Sequence, residues 1–127
     1  MAKTLFVSTI VILALISVAV PVFAHHSWPV SFSQLVTVKG TVTEFMWANP
    51  HPMISLDVRN KDGVIEKWQV GGPAINRMEG NGWSKTTVKP GDVITGIGYQ
   101  YSDGQKILKL DKAILPDGKE IFLYGSR

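Results

Sequence analysis

Three Asp-Gly pairs, Asp62-Gly63, Asp103-Gly104 and Asp117-Gly118, constrain this chain more than any other feature. Each lies between two runs rich in β-branched and aliphatic residues. Asp-Gly tolerates the left-handed backbone that tight hairpins need. An antiparallel meander follows, and the runs themselves agree with it. From Leu35 to Trp47, Val36, Val38 and Val42 share one parity while Thr37, Lys39, Thr41 and Thr43 share the other. That is the period-two pattern of a half-buried strand. Beyond Glu44 the large residues Phe45 and Trp47 fall on the opposite parity, which predicts a bulge or bend, with Gly40 as the residue that permits sharp coiling. A second strand is expected over Met53–Arg59, with Ile54, Leu56 and Val58 inward, and a third over Val64–Val70, carrying Trp68. Gly71-Gly72-Pro73 breaks the pattern, and Pro73 suits the first position of a helix. Ile75 and Met78 would share one face of that short helix, ended by Gly80 or Gly82, with Trp83 closing the core beyond it. Two more strands are expected at Val93–Tyr101 and Lys106–Ile114, the second with Leu108, Leu110 and Ile114 on one face, and a last at Glu120–Tyr124.

Three strands, a short helix and two or three further strands is the order of an OB-like barrel. The expected fold is therefore all-β with little α content: a five- to six-stranded antiparallel barrel with one short helix. A small β-sandwich has the same strand count and is the alternative.

Residues 1–24 read as a signal peptide. Lys3 precedes an apolar run from Leu5 to Val20, and Val22 and Ala24 are the small residues before a cleavage site. The competing reading is a retained anchor, because the apolar stretch approaches the ~20 residues that span a bilayer; Pro21 beside the cleavage site favours removal. The domain would then be residues 25–127, periplasmic, with the membrane involved only if the signal is retained. No cysteine is present, so neither a disulfide nor a lipidated cysteine is available, and the core must carry the fold alone. Without Lys3, twelve basic residues face ten acidic ones. The basic residues are scattered singly, whereas nucleic-acid binders gather them into a patch. The partner expected is a protein or small ligand of the periplasm, not a nucleic acid.

All three histidines lie between His25 and His51. If cleavage follows Ala24, His25 carries both a free α-amine, with a pKa near ~7.7, and an imidazole. Together they form a chelate suited to copper or another transition metal. His26 is adjacent, and His51, in Trp47-Ala48-Asn49-Pro50-His51-Pro52, has a proline on each side that stiffens its loop. His25, His26 and His51 are thus the candidate metal ligands. A frayed His-His terminus and a His51 that hydrogen-bonds within its turn account for the same residues without a metal. Trp47, Asn49 and Trp68 are candidate ligand-binding residues on the barrel face, although aromatic residues such as Trp47, Trp68, Tyr99 and Tyr101 more often serve a core. No catalytic residue is expected: Gly-x-Ser-x-Gly, a phosphate loop and His-Glu-x-x-His are all missing, and the neighbouring carboxylates Asp57 and Glu66 suit a solvated hairpin. The reading is a non-enzymatic binding or accessory module. The alternative is a protein-interaction subunit that uses the barrel face without metal.

Several motifs in order also carry a resemblance. Ala24-His25-His26-Ser27, Val38-x-Gly40-x-Val42, Trp47-x-Asn49-Pro50-His51, Gly82-Trp83 and Lys89-Pro90-Gly91-Asp92-x-Ile94 resemble a family of small exported bacterial proteins known as domain of unknown function 6152. The likeness covers essentially all of residues 25–127. It implies a periplasmic location and a compact β fold, and it implies histidines at the positions of His25, His26 and His51, while supplying no catalytic residue. Trp28-Pro29 departs from the pattern, which has an aromatic nearer an acidic residue there, so the path of the terminal segment is left open.

Overall fold

The first strand, β1 (Val36–Met46), serves two neighbours in turn. A computed structural model describes residues 28–124; the signal segment, His25 and His26 lie outside the described residues. In it, Val36–Thr41 pair antiparallel with β4 (Val93–Gln100), and Thr41–Met46 pair with β2 (Met53–Arg59). One strand can join both only by coiling, and Gly40 sits at the crossover. A Cβ there would lie 2.6 Å from the Asp57 carbonyl oxygen and 2.8 Å from a Val58 methyl, so the backbones approach as closely as glycine alone allows. The register slips between Val42 and Glu44. This is the bulge that the parity change predicted, and it turns Phe45 toward the core after Val38 and Val42.

The remaining strands are β3 (Ile65–Gly71), β5 (Ile107–Ile114) and β6 (Glu120–Phe122), with the helix α1 (Ile75–Gly80) between β3 and β4. The sheet runs β3-β2-β1-β4-β5-β6, and β3 also pairs with β5, which closes a five-stranded barrel with β6 as an extra strand. The OB-like barrel is thus the observed fold, and the sandwich is not. Every hairpin pair is antiparallel, as expected, but the closing pair, Gln69–Gly71 with Ile107–Lys109, is parallel. The reason is arithmetic. Strand directions that alternate around a closed ring cannot do so for an odd number of strands, so one seam must be parallel. Hairpin signals report only sequence neighbours and are blind to that seam.

The glycines of all three Asp-Gly pairs have positive φ, at 81°, 84° and 86° for Gly63, Gly104 and Gly118. The aspartates do not share it; Asp103 and Asp117 instead accept the backbone N–H two residues on. In the first hairpin Asn60 takes that part, accepting from both Asp62 and Val64. One core assignment needs correction. Ile114 was expected to share the inward face of Leu108 and Leu110, but Ala113 is the buried residue. Ile97 pairs with Lys112 and Gly98 with Leu110, leaving Asp111 unopposed, and parity flips across that irregularity.

The core comprises Val38, Val42, Ile54, Leu56, Val70, Ile94, Leu108 and Leu110 within the barrel, plugged at one end by Met78 of α1 and by Trp83. Helix α1 starts two residues later than expected, with Ala74 as N-cap and Pro73 outside the helix. Trp83 is 2% exposed. Its backbone N–H returns to the Met78 carbonyl, and its indole N–H donates to the Phe122 carbonyl at 3.0 Å, which ties the helix end to β6.

Trp68 is also core, and its indole N–H donates to Glu66 at 3.2 Å. Asn60 donates to the other Glu66 oxygen, and Lys106 approaches within 3.3 Å. These donors, Asn60 foremost, then Trp68 and Lys106, hold the carboxyl below its ordinary value of 4.5. A group whose folded pKa is depressed stabilises the fold above its unfolded pKa, and that contribution is lost as pH falls through the folded value. Urea denaturation of wild type and Glu66→Gln should therefore show a stability gap at neutral pH that narrows as pH drops below the ordinary glutamate range. A gap of constant size across that range would refute the assignment.

Candidate functional site

The loop joining β1 to β2, Trp47–Pro52, is held by more than its two prolines. Three hydrogen bonds tie it to the segment that leads from β3 into α1. Gly72 N–H donates to the Pro52 carbonyl at 3.1 Å, the His51 ring bonds through Nδ1 to the Gly72 carbonyl at 3.1 Å, and Ile75 N–H donates to Asn49 Oδ1 at 3.0 Å. Asn49 thus satisfies a helix-start N–H that Ala74, lacking a polar side chain, leaves open. The Asn49–Pro50 peptide is cis. Because a carbonyl can only accept, Nδ1 is the donor in this bond, and in the uncharged form of the ring the lone pair then lies on Nε2. A backbone carbonyl on one ring nitrogen is the common way of fixing a histidine whose other nitrogen meets a metal.

The chain before β1 runs past this loop. Trp28 packs on the His51 ring, with centroids 4.6 Å apart and planes tilted by 52°, and stands edge-on to Tyr101 at 6.1 Å. It also lies over Gly71, where a Cβ would come within 2.8 Å of its indole. Ser102 N–H donates to the Pro29 carbonyl, and Val30 bridges to Tyr101, so the segment is fastened to the end of β4. Further on, Phe32 rests on Tyr99 at 5.0 Å but remains 64% exposed.

Between this segment, the His51 loop, the start of α1, β5 and the end of the described chain lies an open groove of about 620 Å³. It is lined by Trp28, Phe32, Pro50, His51, Pro73, Ala74, Asn76, Arg77, Lys109 and Tyr124. Two of these side chains are cationic and none is a carboxylate. The Lys109 ammonium stands 4.0 Å from the Tyr124 ring centroid and 5.5 Å from that of Phe32, and the Arg77 guanidinium is 5.9 Å from Tyr124. Burial pushes the Tyr124 phenol above its ordinary value; the Arg77 charge works in the opposite direction and the Asp111 charge adds to the rise.

The sequence-derived candidates do not all gather here. His51 lines the groove. Asn49 is spent on capping α1. Trp47 packs edge-on to Phe45 at 5.5 Å, at the fringe of the core. Trp68 is buried and borders a different depression, with Lys67, Gln69 and Lys106. His25 and His26 lie outside the described residues, and among the described residues no three histidines or carboxylates cluster to hold a metal. Sequence reasoning missed Trp28, Phe32, Arg77, Lys109 and Tyr124 as a group. They come from four separate segments, and the one visible signal was the aromatic pair Trp28 and Phe32 in a stretch outside any strand pattern.

The fold and loop define a small OB-like barrel domain with a braced histidine beside an aromatic, cationic groove. The model of a family of unknown function, DUF6152, matches residues 13–108, and the chain belongs to that family. No curated protein sequence matches it significantly. The barrel is similar to part of the ZRD-deleted mutant of TiaS in complex with agmatine, at 14% identity over 74% of this chain and 23% of that one, with a TM-score of 0.49. It is similar also to part of TiaS bound to tRNA and ATP, at 12% identity over 72% of this chain and 20% of that one, with a TM-score of 0.48. The chain thus spans less than a quarter of the length of these solved structures.

Proposed function

We propose that this protein is a periplasmic, non-enzymatic accessory module that binds a transition metal, with copper as the preferred ion, through His51 and the terminal histidines His25 and His26. The observation that carries the reading is the state of His51: Nδ1 is committed to the Gly72 carbonyl, and the Nε2 lone pair is left for a metal. Trp28 against the His51 ring supports it further. Three residues of extended chain reach at most about 10 Å, so a ligand at His25 is within range of a metal beside His51. A chelate of amine and imidazole at a terminus would supply two donors and His51 a third.

The test uses tag-free protein recovered from the periplasm. Its intact mass should match a chain beginning at His25, and titration with Cu(II) should show one tight site. Protein carrying one extra residue before His25, which moves the α-amine away, should bind more weakly. A full-length mass with membrane partitioning would overturn the localisation, and unchanged affinity in the extended protein would overturn the terminal chelate.

A further inference from the structure

The groove has a chemistry that a metal at His51 does not use. Its floor and walls offer flat apolar faces, from Trp28, Phe32 and Tyr124. Among the described residues that line it, the charged side chains are Arg77, on the exposed side of α1, and Lys109, from β5; the Asp111 carboxylate acts on Tyr124 but is not part of the lining. Two rings flank Lys109, Tyr124 at 4.0 Å and Phe32 at 5.5 Å, which fixes an ammonium inside an aromatic wall. Its volume of about 620 Å³ suits a small organic molecule, since such sites run from about 300 to 1,000 Å³. Phe32 is 64% exposed, so much of its surface is left for a ligand to cover.

We propose that this groove binds a small planar aromatic carboxylate, its ring against Trp28 and Phe32 and its carboxylate at the Arg77 guanidinium. Charge complementarity selects an anion, the flat walls select an aromatic body, and the planar guanidinium fork matches a carboxylate in two-point contact. Two rings seated on each other gain from offset or edge contacts beyond the area they bury. The inference does not depend on metal binding and goes beyond it.

The test is a titration of EDTA-treated protein, residues 25–127, with naphthoate and with its uncharged counterpart naphthamide, followed by amide chemical shifts. Naphthoate should shift Phe32, Arg77 and Tyr124 saturably, and naphthamide should bind about tenfold more weakly. Arg77→Ala should lose about the same factor for naphthoate, with partial recovery in Arg77→Lys, while the Cu(II) affinity of the Arg77 variants stays at the wild-type level. Arg77 is on the surface, and retained shift dispersion in the variant shows that it has folded. Equal binding of the acid and the amide, shifts centred on Trp68 instead, or no saturation by about 10 mM would overturn the proposal. Loss of copper binding with naphthoate binding intact would overturn the metal reading alone.

Discussion

Replacing Trp83 with alanine is expected to remove about 3–5 kcal/mol of stability, the range for deleting a large aromatic side chain from a packed core. The ring is 2% exposed, meets Phe45 edge-on at 6.5 Å, and plugs the barrel end together with Met78. Truncation would empty that space and also strand the Phe122 carbonyl, which now accepts the indole N–H. A cysteine-free domain of this size has total stability of only about 5–15 kcal/mol. The loss therefore consumes a large share of it and lowers Tm by roughly 15–30 °C. Trp83→Phe separates the two causes: it keeps most of the packing and gives up the hydrogen bond, for about 1–2 kcal/mol. Urea denaturation measures both variants. A Trp83→Ala loss under about 1 kcal/mol would mean that the end of the barrel is closed by something other than this ring.

The contrast between what the residues announced and what they concealed has a physical basis. Alternation and turn chemistry are local, so the strands, the Asp-Gly hairpins and the bulge after Val42 were legible from parity alone. The parallel seam between β3 and β5 was not, because it joins segments nearly forty residues apart and follows from ring closure. Ala113 replaced Ile114 in the core for a related reason: a single unopposed residue, Asp111, inverts the parity of everything after it. Within the site, His51 could be picked out by its prolines, yet its hydrogen bond to Gly72 depends on where β3 ends. Asn49 was singled out as a candidate ligand-binding residue, but the N–H it satisfies lies 26 positions away. Arg77 and Tyr124 carry no pattern at all. Their meeting with Lys109 is a product of tertiary structure, and the outward parity of Lys109 in β5 gave only half of it.

Copper affinity of the tag-free mature protein, measured beside His51→Ala, tests the central claim most directly. Among the described residues, His51 makes one hydrogen bond, to Gly72, and one ring contact, with Trp28, and it is neither a core residue nor part of a strand. The substitution should leave the barrel folded, which thermal unfolding of the apo protein will verify. If His51 Nε2 and the His25 terminus hold one ion together, removing the imidazole deletes a nitrogen donor and should weaken Cu(II) binding by at least about tenfold, approaching a hundredfold. The nitrogen coupling in the copper spin-resonance spectrum should change with it. If His51→Ala binds copper as tightly as wild type with an unchanged spectrum, the terminus chelates alone, and the braced histidine has no part in the metal site.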